Sequence, residues 1–122
     1  VDAHPRVSSR PPGDPATLRA AYARYFRVLG DATRLEILQA LLEGERTVEE
    51  LVHLTGHPRS RLSNHLACLK WCGFVAGRRR GRHVLYRVVD PRLPAVLRAV
   101  GSLSPARCRH LACCRRIGPE WV

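Results

Sequence analysis

A chain of 122 residues with 45% hydrophobic side chains suits one compact domain and excludes global disorder. No apolar run of about 18 residues is present to span a membrane, and the N-terminal segment lacks the apolar centre of a secretory signal, so a cytoplasmic protein is expected. A formal charge of +11, with 21 basic residues of which only Lys70 is lysine, points to a polyanionic partner, and nucleic acid is the default.

In chain order, residues 1–15 collect Pro5, Pro11, Pro12 and Pro15 with Gly13 and read as a flexible arm. Helical periodicity begins at Ala16, with Leu18, Tyr22, Tyr25, Phe26 and Leu29 forming one apolar stripe. Gly30-Asp31 interrupts it, and Asp31 is placed to cap a second helix carrying Leu35, Ile37, Leu38, Leu41 and Leu42 and ending at Gly44. Thr47-Val48-Glu49-Glu50 has the form of a capping box and opens a short helix expected to turn Leu51, Val52 and Leu54 inward, with Gly56 as its stop. After the turn His57-Pro58-Arg59-Ser60, a further helix runs to about Trp71 on a Leu62, Leu66, Leu69 stripe, with Gly73 as its stop. Two short helices joined by a tight turn form a helix-turn-helix. Phe74–Ala76 and Val84–Val89 are strand-like, and the segment Gly77–His83 between them reads as a polar hairpin loop. Leu93, Val96, Leu97 and Val100 predict a last core helix, followed by a Cys-rich tail. The expected organisation is a flexible arm over 1–15, a winged helix-turn-helix DNA-binding and dimerisation domain over 16–101, and a tail over 102–122. The fold class is mainly α with a small β-hairpin.

In the helix after Pro58, a 100° step per residue sends Leu62, Leu66 and Leu69 inward. Ser60, Ser63, Asn64 and Ala67 fall on the outward side, with Arg59 and Arg61 at the N-terminal end. The N-terminal part of such a helix meets base edges in the major groove, where arginine forks onto guanine and asparagine onto adenine. His65 is equally readable as a packed histidine or a DNA contact. Arg78, Arg79, Arg80 and Arg82, with His83, supply cations for phosphate or minor-groove contact, which adds affinity more than specificity.

Gly56–Leu66, Leu29–Leu38 and the wing Gly81–Tyr86 together resemble the recognition region, the "L-x-D-x-T-R-x-x-I-L" signature and the "G-r-x-v-x-Y" hairpin of the ArsR/SmtB family of bacterial metalloregulatory repressors. Coverage runs from about Ala16 to Val100. The departure is Pro58, where members often carry a small polar cap. The resemblance implies a homodimer built on the first and last core helices. It also implies binding of double-stranded operator DNA with imperfect palindromic symmetry in the metal-free form, and weaker binding once metal is held.

All five cysteines lie from Cys68 onward, and an odd number without an export signal points to reduced thiols. Cys68 and Cys72, four apart on the recognition helix, stack their sulfurs on one side, flanking the core stripe. Thiolates select soft ions, and two rarely complete a site except for mercury, so Cys108, Cys113 or Cys114, from the same or the partner subunit, is the expected further donor, with His110 a weaker choice. Asn64–Gly73 is similar to the CmtR-type cadmium and lead sensors of the family, which place a Cys pair here; mercury-resistance repressors belong to the same family. The inducer is therefore expected to be mercury(II), or cadmium(II) or lead(II), with the greater number of tail thiols favouring mercury. The competing readings are a thiol redox switch on the same fold, an architectural DNA coater, and a thiol enzyme. The last has no Cys-x-x-Cys and no phosphate-cradling glycine loop to support it.

Overall fold

The computed structural model describes residues 13–114. Most of the expected N-terminal arm and the last eight residues of the tail lie outside that range. The chain divides after Pro91 into two compact units.

In the first unit the first three helices begin where the sequence supplies an acceptor for the first orphaned amides. Helix α1 (Pro15–Leu29) starts one residue earlier than expected, because the Asp14 carboxylate accepts the amides of Ala16 and Thr17 and Pro15 suits the first helical position. Helix α2 (Ala32–Leu42) is capped by Asp31, which accepts the Arg34 amide at 3.0 Å. Helix α3 (Val48–Thr55) carries the complete capping box: Thr47 Oγ1 accepts the Glu50 amide at 3.2 Å, and Glu50 accepts the Thr47 amide at 3.0 Å. Helix α4 (Arg59–Trp71) follows Pro58, which offers no side-chain cap. It ends in a Schellman motif, with the Phe74 amide donating to Leu69 and the Gly73 amide to Lys70, and Gly73 in the left-handed region at φ +82°.

The core of this unit joins Ile37, Leu38 and Leu41 of α2 to Leu51 of α3 and to Leu62, Leu66 and Leu69 of α4. Phe74, Val75 and Leu85 close it from the hairpin side. Burial of each such side chain contributes about 1.5–3 kcal/mol. Several expected apolar positions are not buried, Leu42 and Val100 among them. Leu54 is 56% exposed, because α3 is only two turns long and ends before that face meets a neighbour. On α1, Tyr22 and Phe26 are 57% and 63% exposed. Tyr25 fastens the middle of α1, with its hydroxyl donating to Asp90 at 2.8 Å and its ring 4.9 Å from that of Phe74.

The hairpin differs from its sequence reading. Strands β1 (Val75–Arg80) and β2 (His83–Val88) pair antiparallel from Val75 opposite Val88 to Arg80 opposite His83, so the arginine run is strand and only Gly81-Arg82 is loop. Gly81, at φ +61°, holds the first central position of a two-residue turn, where positive φ is needed and glycine supplies it. Arg46 adds a one-residue bridge on the other side of β2, exchanging both backbone hydrogen bonds with Tyr86 at 3.1 and 2.8 Å.

In the second unit, α5 (Leu93–Gly101) forms as expected. The tail contains a further helix, α6 (Pro105–Cys113), capped by Ser104, whose hydroxyl accepts the Arg107 amide. No helix among the described residues is long and apolar enough to cross a membrane.

Two outcomes follow. A β-carbon on Gly77 would stand 2.7 Å from Cγ1 of Val84 and 3.3 Å from the Tyr86 ring across the hairpin. Gly77→Ala should therefore cost about 1–3 kcal/mol in urea unfolding, and less in a Val84→Ala background, where the opposing methyl groups are gone. The backbone amide of Arg34 holds the Asp31 carboxyl below its ordinary 3.8. A lowered folded-state value means that this cap contributes in full above the unfolded value and is lost as pH falls through the folded one. Asp31→Asn, which still caps, should reduce the loss of thermal stability between neutral and strongly acid pH while leaving neutral stability nearly unchanged.

Candidate nucleic-acid interface and thiol pair

Helix α4 presents three faces. Leu62, Leu66 and Leu69 are 0%, 1% and 0% exposed and lock the helix into the core. On the outward face Arg59, Ser60, Arg61, Ser63, Asn64 and Ala67 are all exposed, as the 100° step predicts. No acidic side chain lies on this helix. His65 occupies the third face; it is half-buried, and its Nδ1 accepts a hydrogen bond from Arg34 Nε at 3.2 Å, which turns the ring toward α2.

Several of the cations are held by glutamates that sequence reasoning did not single out. Arg59 pairs with Glu49, and the other oxygen of the same carboxylate lies 3.5 Å from Nδ1 of His83 on the hairpin. Arg78 is held by Glu45 through contacts of 2.9 and 3.4 Å. Arg61 lies 3.5 Å from Nδ1 of His57, whose Nε2 meets Glu36 at 2.9 Å. The Arg78 side chain holds the Glu45 carboxyl below its ordinary range, and Glu49 is lowered first by its own backbone and then by Arg59. These exposed pairs add little stability; they set where the cations stand. Arg79, Arg80 and Arg82 are exposed at the distal end of the hairpin. The glutamates lie 10 to 34 residues in sequence from the groups they hold, so no local pattern could have revealed them.

Cys68 and Cys72 lie one turn apart on the His65 face. Cys68 is half-buried; Cys72, the C-cap, is open to solvent on one side. Packing on its other side pushes the Cys72 thiol above its ordinary 9.0, the adjoining Cys68 thiol raises it further, and Arg34 pulls the other way. At neutral pH this thiol keeps its proton, so an incoming metal ion must displace it. The low-pKa thiol that a redox switch would use is not what these surroundings create at Cys72.

Cys108 and Cys113 are exposed on α6, and Cys114, half-buried, caps its end. His110 lies between them and is exposed. All five cysteines are free thiols. Among the described residues of one subunit, no three His, Cys, Asp or Glu side chains gather as a metal-binding group.

The profile described as "Bacterial regulatory protein, arsR family" matches residues 31–76 of this chain. A probable mercury resistance operon repressor of Streptomyces lividans is 42% identical over 87% of the chain and 85% of its own length. The regulator CmtR of Mycobacterium bovis is 44% identical over 69% of each chain. The solved homodimeric winged helix-turn-helix DNA-binding domain of Mb0332 from Mycobacterium bovis superimposes with a TM-score of 0.63 at 33% identity, covering 77% of this chain and 90% of that one. Fold, recognition helix and relatives agree: the chain belongs to the arsR family of winged helix-turn-helix transcription regulators, which bind DNA and are not enzymes.

Proposed function

We propose that this protein is a homodimeric, cytoplasmic repressor of a metal-resistance operon, gripping an imperfect palindromic operator when metal-free and releasing it when Cys68 and Cys72 capture a thiophilic ion. The observation that carries this reading is the placement of two adjoining thiols on the same helix that displays Ser63 and Asn64 to solvent. The names of the relatives support it, since one is described as a mercury resistance repressor.

For DNA binding, Arg59 and Arg61 offer forked donors for guanine, Asn64 for adenine, and Ser60 and Ser63 for base or phosphate, while Ala67 allows close approach. His65 contributes by fixing the helix against α2. Arg78, Arg79, Arg80 and Arg82 serve the backbone. Dimerisation falls to α1, whose bare Tyr22 and Phe26 are an unsuited surface for a lone subunit in water.

The donor chemistry fits a soft ion: two sulfurs one turn apart on one helix face, Cys68 half-buried and Cys72 exposed to an incoming ion. Mercury(II) is the favoured inducer because two thiolates satisfy it; cadmium(II) or lead(II) requires a third, for which Cys108, Cys113 and Cys114 are the proposed donors. When bound, the ion would supply a covalent-strength tie between the sulfurs.

Cys68→Ser and Cys72→Ser should each leave operator affinity within about threefold of the parent and abolish release by mercury. A gel-shift titration against mercury, cadmium, lead, zinc and arsenite checks this, and normal dissociation of both variants would refute the assigned site. Ser63→Ala combined with Asn64→Ala should weaken operator binding by at least about tenfold while the melting curve is retained. Unaltered affinity would refute the reading helix.

A further inference from the structure

His65, Cys68 and Cys72 recur at three- and four-residue spacing and therefore share one face of α4. One side chain of α2 reaches that face. Arg34 donates from Nε to His65 Nδ1 at 3.2 Å and from Nη1 to the Val28 carbonyl at 3.2 Å. Its own backbone amide is fixed on Asp31, so the side chain leaves α2 from a clamped position. Val28 lies in the last turn of α1, where carbonyls are left over for a cation. The same guanidinium exerts its field on Cys72.

We propose that Arg34 is the coupling residue of this regulator, a planar fork tying the thiol-bearing face of α4 to the end of α1, the helix that bares Tyr22 and Phe26. The inference rests on the reading of Cys68 and Cys72 as the sensing pair. Without a bound ion, the guanidinium spends its hydrogen bonds on the Val28 carbonyl and the His65 ring. Sulfur–metal bonding would put thiolate sulfur in place of thiol on this face, within the field of Arg34. A rival acceptor then competes with Val28, and the tie between α4 and α1 weakens. In the intact tie the DNA-reading helix and the exposed apolar helix are held as one body, so loosening it alters how the two reading helices of a dimer are presented.

Only arginine can make this tie. Its guanidinium directs several N–H groups in fixed directions, whereas lysine is a point charge on a flexible stem. Arg34→Lys therefore keeps the charge beside the thiols and removes the bridge.

The test uses the full chain and labelled operator DNA, with fluorescence anisotropy measured without mercuric chloride and with one mercuric ion per subunit. The proposal expects Arg34→Lys to bind mercury with parental stoichiometry, seen in near-ultraviolet sulfur–metal absorption. Its ratio of metal-free to metal-loaded operator affinity should fall about fivefold or more below the parental ratio. A parent that releases DNA and a variant that releases it equally would overturn the coupling alone. A parent whose operator binding ignores mercury would overturn the sensing pair, and the coupling with it. Should the variant not fold, the Arg34 Nε–H resonance of the parent decides: it should move when one mercuric ion per subunit is added, and an unmoved resonance overturns the proposal.

Discussion

Everything in the DNA-binding unit depends on the burial of one stripe of α4. Leu62, Leu66 and Leu69, withdrawn from water against α2, α3 and the hairpin, fix the rotation of the helix about its axis. Once that rotation is set, geometry assigns the rest: Ser63 and Asn64 must face out, and His65, Cys68 and Cys72 must lie along the flank. A polar residue in the stripe would spoil the core and misdirect both other faces together. The Schellman motif at Gly73 finishes the arrangement by turning the chain so that Phe74 returns to the core beside Leu69. The outward face and the thiol-bearing flank are thus both positioned by the same apolar contact.

A second constraint is electrostatic. A chain of charge +11 could bind any polyanion, but the structure distributes its cations unevenly. Glu49 ties Arg59 of the recognition helix and His83 of the hairpin to one carboxylate, and Glu45 restrains Arg78. Arg79, Arg80 and Arg82 stand exposed at the distal end of the hairpin. Such an arrangement orders the paired cations through carboxylates of α3 and the turn before it.

Much of this was legible in the sequence, and the legible parts were local. Asp31, the Thr47–Glu50 box, Gly56 and Gly73 announced their caps because capping chemistry is completed within about four residues. The outward face of α4 followed from helical arithmetic alone. What the sequence concealed depended on contacts between distant segments. Nothing in the pattern shows that Arg46 pairs with Tyr86, that Arg34 reaches both His65 and Val28, or that Glu45 meets Arg78. The arginine run was placed in a loop because three consecutive cations make a poor strand by composition; cross-strand pairing with Leu85 and Val84, plus a two-residue glycine turn, outweighs that preference. Leu54 was misplaced for a related reason, since periodicity marks an apolar side but not where a short helix runs out of neighbours.

The central claim is that sulfur–metal bonding on α4 and departure from DNA are one event. A single titration follows both: mercuric ion is added to the operator complex while near-ultraviolet sulfur–metal absorption and operator anisotropy are recorded together. The account predicts that the two signals change in step and level off at the same metal equivalence. Sulfur–metal absorption that rises to its limit while the DNA stays bound would contradict it.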